Sequence, residues 1–359
     1  MTKFPRRDFL ALQTAIGLSA FSSTVSAGEK KAPIRIGQIG TGHAHASKLS
    51  VYRASEDYEV VGIAEPDPVL RERAQSQATY ADLPWMTPEQ LLNVPGLQVV
   101  LVETEVHQLL DVAEQCIAAG KHIHLDKPAG ESFPQFERIL QNAEKQQLMV
   151  QLGYMYRYNP GIILLKHCLQ QGWLGDVFEI HAVMSKVIPP GNRQQLASYP
   201  GGLMFELGCH LIDLVIGVLG KPEDMTSFSQ HASQLDDSLV DNMLAVFSYP
   251  RAIASIKTSG MEVEGFARRH FVVCGTEGTF HIQPLDRPSA RVAFSQPHGE
   301  YQKGYQDINF PNFQRYLADA ADMAQVIRGE KQNDYPYDHE LNVQRAVLQA
   351  SGLSLDQTR

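Results

Sequence analysis

The chain has 359 residues, of which 43% are hydrophobic and 20% are charged. That length suits two domains, and that composition excludes disordered, collagen-like and coiled-coil chains. Lys+Arg 31 against Asp+Glu 40 gives a net charge of −9, which argues against a nucleic-acid partner whose phosphates need neutralising.

The first 27 residues read as an address. Arg6-Arg7 is followed by Asp8-Phe9-Leu10, a mildly apolar stretch, and the small-residue site Val25-Ser26-Ala27. A basic start, a short apolar run and such an end describe a secretory signal, and the paired arginines resemble the twin-arginine export signal. The expectation is an exported, periplasmic protein that meets the twin-arginine machinery in transit. The competing reading is an amphipathic first helix, which Thr14, Gly17 and Ser19 weaken. No C-x-x-C pair occurs among Cys116, Cys168, Cys209 and Cys274, so buried free thiols are expected.

From residue 33 strands and helices alternate. Ile34–Ile39 enters Gly40-Thr41-Gly42 and a helical stretch to about Glu56; Glu59–Ala64, Gln98–Val102 and His122–Leu125 read as further strands, with a helix over 105–119. This alternation predicts a doubly wound parallel sheet with helices on both faces over 33–150. After 151 the pattern changes to a helix near 160–171 and β-rich runs at 177–187, 239–248, 252–259, 270–274 and 279–283. With the turn Gly275-Thr276-Glu277-Gly278 and two helices near 312–328 and 338–352, residues 151–359 predict an α+β domain with a mostly antiparallel sheet. The apolar stretch 201–220 contains Glu206, His210 and Asp213, so it reads as a buried helix and not as a membrane span.

Three groups of residues point to chemistry. Gly40-Thr41-Gly42 after a strand can seat a pyrophosphate on backbone amides, and Glu65, ending the second strand, can bond ribose hydroxyls and disfavour a 2′-phosphate. That predicts NAD, with NADP possible. Lys127 ends the strand His122–Leu125 before Pro128, where a cation can polarise a hydroxyl or carbonyl. Glu206, His210 and Asp213, at i, i+4 and i+7, share one helical stripe, so Glu206 can orient His210 as a general base. The bland alternatives are a plain turn, a solvated lysine and a satisfied core histidine. A metal-dependent hydrolase is a further alternative, because His43-Ala44-His45 and His122-x-His124-x-Asp126 have ligand-like spacing.

Taken in order, Gly40-Thr41-Gly42-His43, the run Ala119 to Pro128, and Gly201-Gly202-x-x-x-Glu206-x-Gly208-x-His210-x-x-Asp213 resemble the glucose–fructose oxidoreductase / inositol dehydrogenase / rhizopine catabolism (Gfo/Idh/MocA) family. The resemblance spans about residues 33–352. It implies an N-terminal Rossmann domain, a C-terminal substrate domain that often forms oligomers, and a nicotinamide cofactor. It also implies substrates that are mostly sugars, inositols or their derivatives. By resemblance Lys127 is the catalytic lysine, His210 the proton-transferring histidine and Glu206 stands where many members have aspartate. Cofactor contacts fall on Gly40, Thr41, Gly42, His43, Glu65 and Lys127. Tyr156, Arg157 and Asn159, with Asp213, fall on the substrate side. Asp126 replaces the motif glutamate, and His45 replaces the third glycine of G-x-G-x-x-G. Outside the cytoplasm such an enzyme would keep its cofactor and recycle it, either between two substrates or by transient oxidation that cleaves a glycosidic bond. A cofactor-bound sensor without turnover is the non-enzyme alternative.

Overall fold

The computed structural model describes residues 31–356, so the expected export signal at 1–27 lies outside the described residues. The first sheet has six parallel strands: β1 (Ile34–Ile39), β2 (Tyr58–Ala64), β3 (Trp85–Met86), β4 (Val99–Val102), β5 (His122–Leu125) and β6 (Val150–Leu152). Their spatial order is β3-β2-β1-β4-β5-β6. Chain direction therefore reverses its progress between β1 and β4, and the carboxyl ends there open the crevice where doubly wound sheets bind ligands. β4 reads Val-Val-Leu-Val with all four residues buried, as a strand covered on both faces requires.

Helices cover this sheet for local reasons. Phe133–Lys145 starts on Ser132, whose side chain accepts from the Gln135 amide. It turns Phe133, Phe136, Ile139, Leu140 and Ala143 inward at helical spacing. The helix Leu317–Ile327, expected in the second domain, returns to the first sheet. Its Ala320, Met323 and Ala324 pack in one cluster with Ile36, Tyr52, Val99 and Leu101.

The second sheet has eight strands: β7 (Val177–Val183), β8 (Asp224–Gln230), β9 (Asn242–Ser248), β10 (Ile253–Ser259), β11 (His270–Gly275), β12 (Gly278–Ile282), β13 (Ser289–Phe294) and β14 (Gly304–Asn309). The order is β14-β13-β12-β11-β7-β10-β9-β8, antiparallel throughout except for the β7–β10 pair. The architecture is α/β: a Rossmann-like parallel sheet followed by a mostly antiparallel one. Its buried face, with Ile180, Ala254, Ile256, Phe271, Val273 and Phe280, forms one core with the helices Pro160–Gln170 and Cys209–Leu219. No described helix is long and apolar enough to cross a membrane.

Candidate active site

The turn after β1 is shaped by a backbone approach. Gly40 has φ +93°, and a Cβ there would lie 2.4 Å from the Thr104 amide nitrogen, so the position admits glycine. Glu65 closes the turn: one carboxylate oxygen accepts from the Thr41 amide (2.6 Å) and hydroxyl (2.8 Å), the other from the Asp67 amide (3.0 Å). A ribose hydroxyl at Glu65 would therefore share oxygens that already serve the loop. A cleft of about 460 Å³ runs from Thr41, Gly42 and His43 past Arg73 to Lys186 and Glu206.

Lys127 follows β5 and is 1% exposed. Its ammonium donates to the Glu206 carbonyl at 2.9 Å and to the Glu206 carboxylate at 3.4 Å. Burial opposes the lysine's charge, yet Glu206 outweighs it and holds Lys127 above the ordinary lysine range. Burial likewise opposes the Glu206 charge, and Lys127 with His43 and His45 still holds its carboxyl below the usual value. The two groups are therefore an ion pair at neutral pH.

His210 is 3% exposed, its Nδ1 is buried without a partner, and burial pushes it well below the ordinary histidine range. The Tyr156 and Tyr154 rings stand edge-on to it at 5.1 and 6.0 Å, and the His45 ring centroid lies 6.3 Å away. It is thus a neutral imidazole, the form a general base needs. Tyr156 in turn donates its hydroxyl to Asp286 at 2.7 Å.

The expected Glu206–His210–Asp213 stripe does not form. Met204–Gly208 is a π-turn, whose wider winding shifts Glu206 out of register with the α-helix Cys209–Leu219. Glu206 meets Lys127, His210 meets the two tyrosines, and Asp213 meets Arg157. Arg157 is bidentate to both Asp213 (3.0 and 2.6 Å) and Glu340 (2.7 and 2.7 Å), with all three buried. Asn159 caps the helix Pro160–Gln170 through the Gly161 amide and donates to the Leu285 carbonyl. Arg157, Asn159 and Asp213, assigned by resemblance to substrate, are thus engaged by the fold itself.

Beneath the turn lies a group the sequence did not single out as a unit. Lys48, 1% exposed, reaches His124 (2.8 Å), Asp126 (2.6 Å) and Glu103 (3.0 Å), and Asp126 also meets His43 (3.1 Å) and His45 (3.2 Å). A lone lysine in a helical stretch gave no signal for this. Among the described residues, three His/Asp/Glu groupings have ligand-like proximity. Each already contacts a cation of the chain, Lys48 at Asp126 and Glu103 or Arg157 at Asp213 and Glu340. A metal ion there would have to displace it.

A parallel nucleotide-binding sheet, a glycine turn at its switch point and a lysine at the end of β5 define a dinucleotide-dependent oxidoreductase. A family model described as "Oxidoreductase family, NAD-binding Rossmann fold" matches residues 34–154, and one for the "GFO/IDH/MocA C-terminal domain" matches residues 162–281. The chain belongs to the Gfo/Idh/MocA family of NAD(P)-dependent oxidoreductases. The uncharacterized oxidoreductase YdgJ of Escherichia coli is 25% identical over 282 residues, 76% of this chain and 78% of its own. Mouse trans-1,2-dihydrobenzene-1,2-diol dehydrogenase is 24% identical over 281 residues, 76% and 81% of the two chains. Among solved structures, UDP-N-acetylglucosamine 3-dehydrogenase of Acidithiobacillus ferrooxidans superposes with a TM-score of 0.74 at 17% identity, covering 90% of this chain and 99% of the other. A 3-ketoreductase of Actinomadura kijaniata, solved with NADP, gives 0.71 at 19% identity over 89% and 96%.

Proposed function

We propose that the protein moves a hydride between a carbohydrate-like hydroxyl, on a sugar, inositol or related polyol, and a tightly held NAD(P). The observation that carries this reading is the Lys127–Glu206 ion pair, whose charge reaches neutral His210 and whose Glu206 lines the cleft that begins at Gly42. The residues present suit a dinucleotide: a turn stripped of side chains at Gly40 and Gly42, and a cleft of about 460 Å³ that the turn lines. The Gly42 amide, free among the described residues, would hold it there, with Thr41 and His43 lining the cleft beside it. When bound, the nicotinamide accepts or returns the hydride. Lys127 holds the reacting oxygen and offsets its developing charge, and His210 takes or returns the hydroxyl proton. Glu206 keeps Lys127 charged and in place. Because Glu65 is committed to the loop and Arg73 lines the cleft, NADP is accepted beside NAD.

The paired arginines at 6–7 support export to the periplasm, and the open face of the second sheet supports a homo-oligomer. The test is to purify the protein by its export route and identify co-purifying dinucleotide after denaturation. Sugars and polyols are then screened by nicotinamide absorbance. Retained NAD(P)(H) with sugar-dependent reduction is the expected result. Glycoside cleavage without net reduction would select the elimination reaction instead, and failure to bind either dinucleotide would overturn the reading.

A further inference from the structure

The glycine turn has few amides to spare. Gly40 N donates to Ala64 (2.8 Å), Thr41 N to Glu65 (2.6 Å), His43 N to Glu103 (3.0 Å) and His45 N to the His43 ring (3.2 Å). From Gly40 to His45, only the Gly42 and Ala44 amides lack an acceptor among the described residues. The α-helix that follows, Leu49–Ala54, has six residues and starts beyond a 3₁₀ turn, so it adds little dipole at the loop. The carboxylates nearby are Glu65 in the turn, Glu105 beside Gly42, Glu103 beneath the turn and Glu206 in the cleft lining. The turn thus offers a dianionic pyrophosphate two amides, and besides Arg73 its countercharge comes from the opposite wall.

The opposite wall supplies a cation. Lys186, just past β7, lines the cleft together with Gly42, and its ammonium makes no hydrogen bond or ion pair among the described residues. Burial presses its charge down, Glu206 favours it, and Lys127 and Arg269 oppose it. The wall is firmly rooted. Lys186 N and Ile188 N donate to Ser259 (3.1 Å) and Gly260 (2.9 Å). The helix Pro190–Ala197 is pinned by buried Arg193 to Asp237 (2.5 Å), Asp241 (2.7 Å) and Ser233 (2.9 Å). Asn192, Gln195 and Tyr199 of the same segment also line the cleft.

We propose that Lys186–Tyr199 is the second half of the dinucleotide site, with Lys186 taking the pyrophosphate across the cleft from Gly42. The proposal rests on the reading of this cleft as the NAD(P) site. It gives the second domain a part in retaining the cofactor as well as in holding substrate.

The experiment measures dissociation constants of NADH, ADP-ribose and adenosine for the full chain, its Lys186→Gln and Lys186→Arg variants, by fluorescence and calorimetry. Loss of one charge-assisted contact predicts NADH and ADP-ribose binding about 10- to 100-fold weaker in Lys186→Gln. Adenosine, without phosphate, should bind unchanged, and Lys186→Arg should restore most of the affinity. Wild-type affinity of Lys186→Gln for NADH would overturn the assignment while leaving the cofactor site standing. Equal weakening for adenosine would also overturn it, as a disturbance of the whole wall. Unchanged affinities with a raised KM for acidic sugars alone would move the anion to the substrate and refute it. If the wild type binds none of the three probes, the cofactor reading fails first and this one with it.

Discussion

Arg157→Leu removes the guanidinium that separates Asp213 from Glu340. Each acid is engaged bidentately, and an oxygen of one lies within 4.8 Å of an oxygen of the other. Two carboxylates at that separation repel by about 3 kcal/mol at an effective dielectric of about 20. Removing one partner of a buried ion pair costs about 3–5 kcal/mol, because the charges left behind stay out of water. The variant should lose that amount at neutral pH, which corresponds to a fall in Tm on the order of 5–10 °C. Without the arginine both acids hold protons more tightly in the native state than in the unfolded chain. Acid therefore favours the native state, and part of the loss should return as pH falls toward the carboxylate range. Asp213→Asn keeps the Arg157–Glu340 pair and should cost only about 1–2 kcal/mol. Urea unfolding followed by fluorescence and circular dichroism across pH measures all three quantities. A variant with the wild-type midpoint at every pH, and with sugar binding lost, would refute the structural role and return Arg157 to the substrate pocket.

Two further outcomes are expected. Lys127→Ala should lower turnover by about 10²–10³-fold with the sugar the screen identifies, while its dissociation constant for NADH stays close to wild type; unchanged turnover removes Lys127 from the chemistry. Burial holds the Asp319 carboxyl up, from the ordinary 3.8 to about 7. The proton is thus bound more tightly in the native state, so stability from this group is full at acid pH and declines as pH rises through about 7. Asp319→Asn should match the wild type near the ordinary carboxylate pKa and exceed it above neutrality, by at most about 4 kcal/mol; a constant difference across pH would show that Asp319 does not titrate in this range.

What was legible in the sequence was what repeats locally. The strands β1, β2, β4 and β5 are short, mostly apolar and mostly buried runs, β4 wholly so, and Gly40 and Lys127 follow the carboxyl ends of β1 and β5 where the topology needs them. Strands β3, β6, β8, β13 and β14 fall outside the runs that the sequence marks. Asp-Met-Thr-Ser-Phe-Ser-Gln and Gly-Tyr-Gln-Asp-Ile-Asn lie at the two edges of the open sheet and carry little apolar signal, and Ser289–Phe294 pairs beside one of them. The π-turn at Met204–Gly208 has no periodic signature either, since one extra residue per turn over five residues does not alter an apolar pattern that is already continuous. Helical spacing therefore joined Glu206 to His210, and only tertiary structure joined it to Lys127. Arg157, Asp213 and Glu340 come from three segments, and nothing local marks them as partners.

Two of the three departures from the family motif prove to be neighbours. His45 stands where a third glycine is usual, Asp126 where a glutamate is usual, and they meet at 3.2 Å. Asp126 is fully buried, and burial alone would neutralise it. His43, Lys48 and His45 together instead hold its carboxyl well below the ordinary range. Glu103, which shares Lys48, goes the other way under the same burial and is held well above it. The floor of the site is thus a Lys48–Asp126 ion pair with a proton-retaining Glu103 beside it. Above the floor, Asp126 also accepts from the Lys127 amide at 2.7 Å. The shorter carboxylate suits a floor that a histidine ring already fills, so that the backbone carrying Lys127 is fixed from below while Glu206 fixes its ammonium from above. A lysine held at both ends by opposite charge stays ionised in a site that excludes water. Under the proposed function, that is the condition under which it would stabilise an alkoxide more strongly than the alcohol.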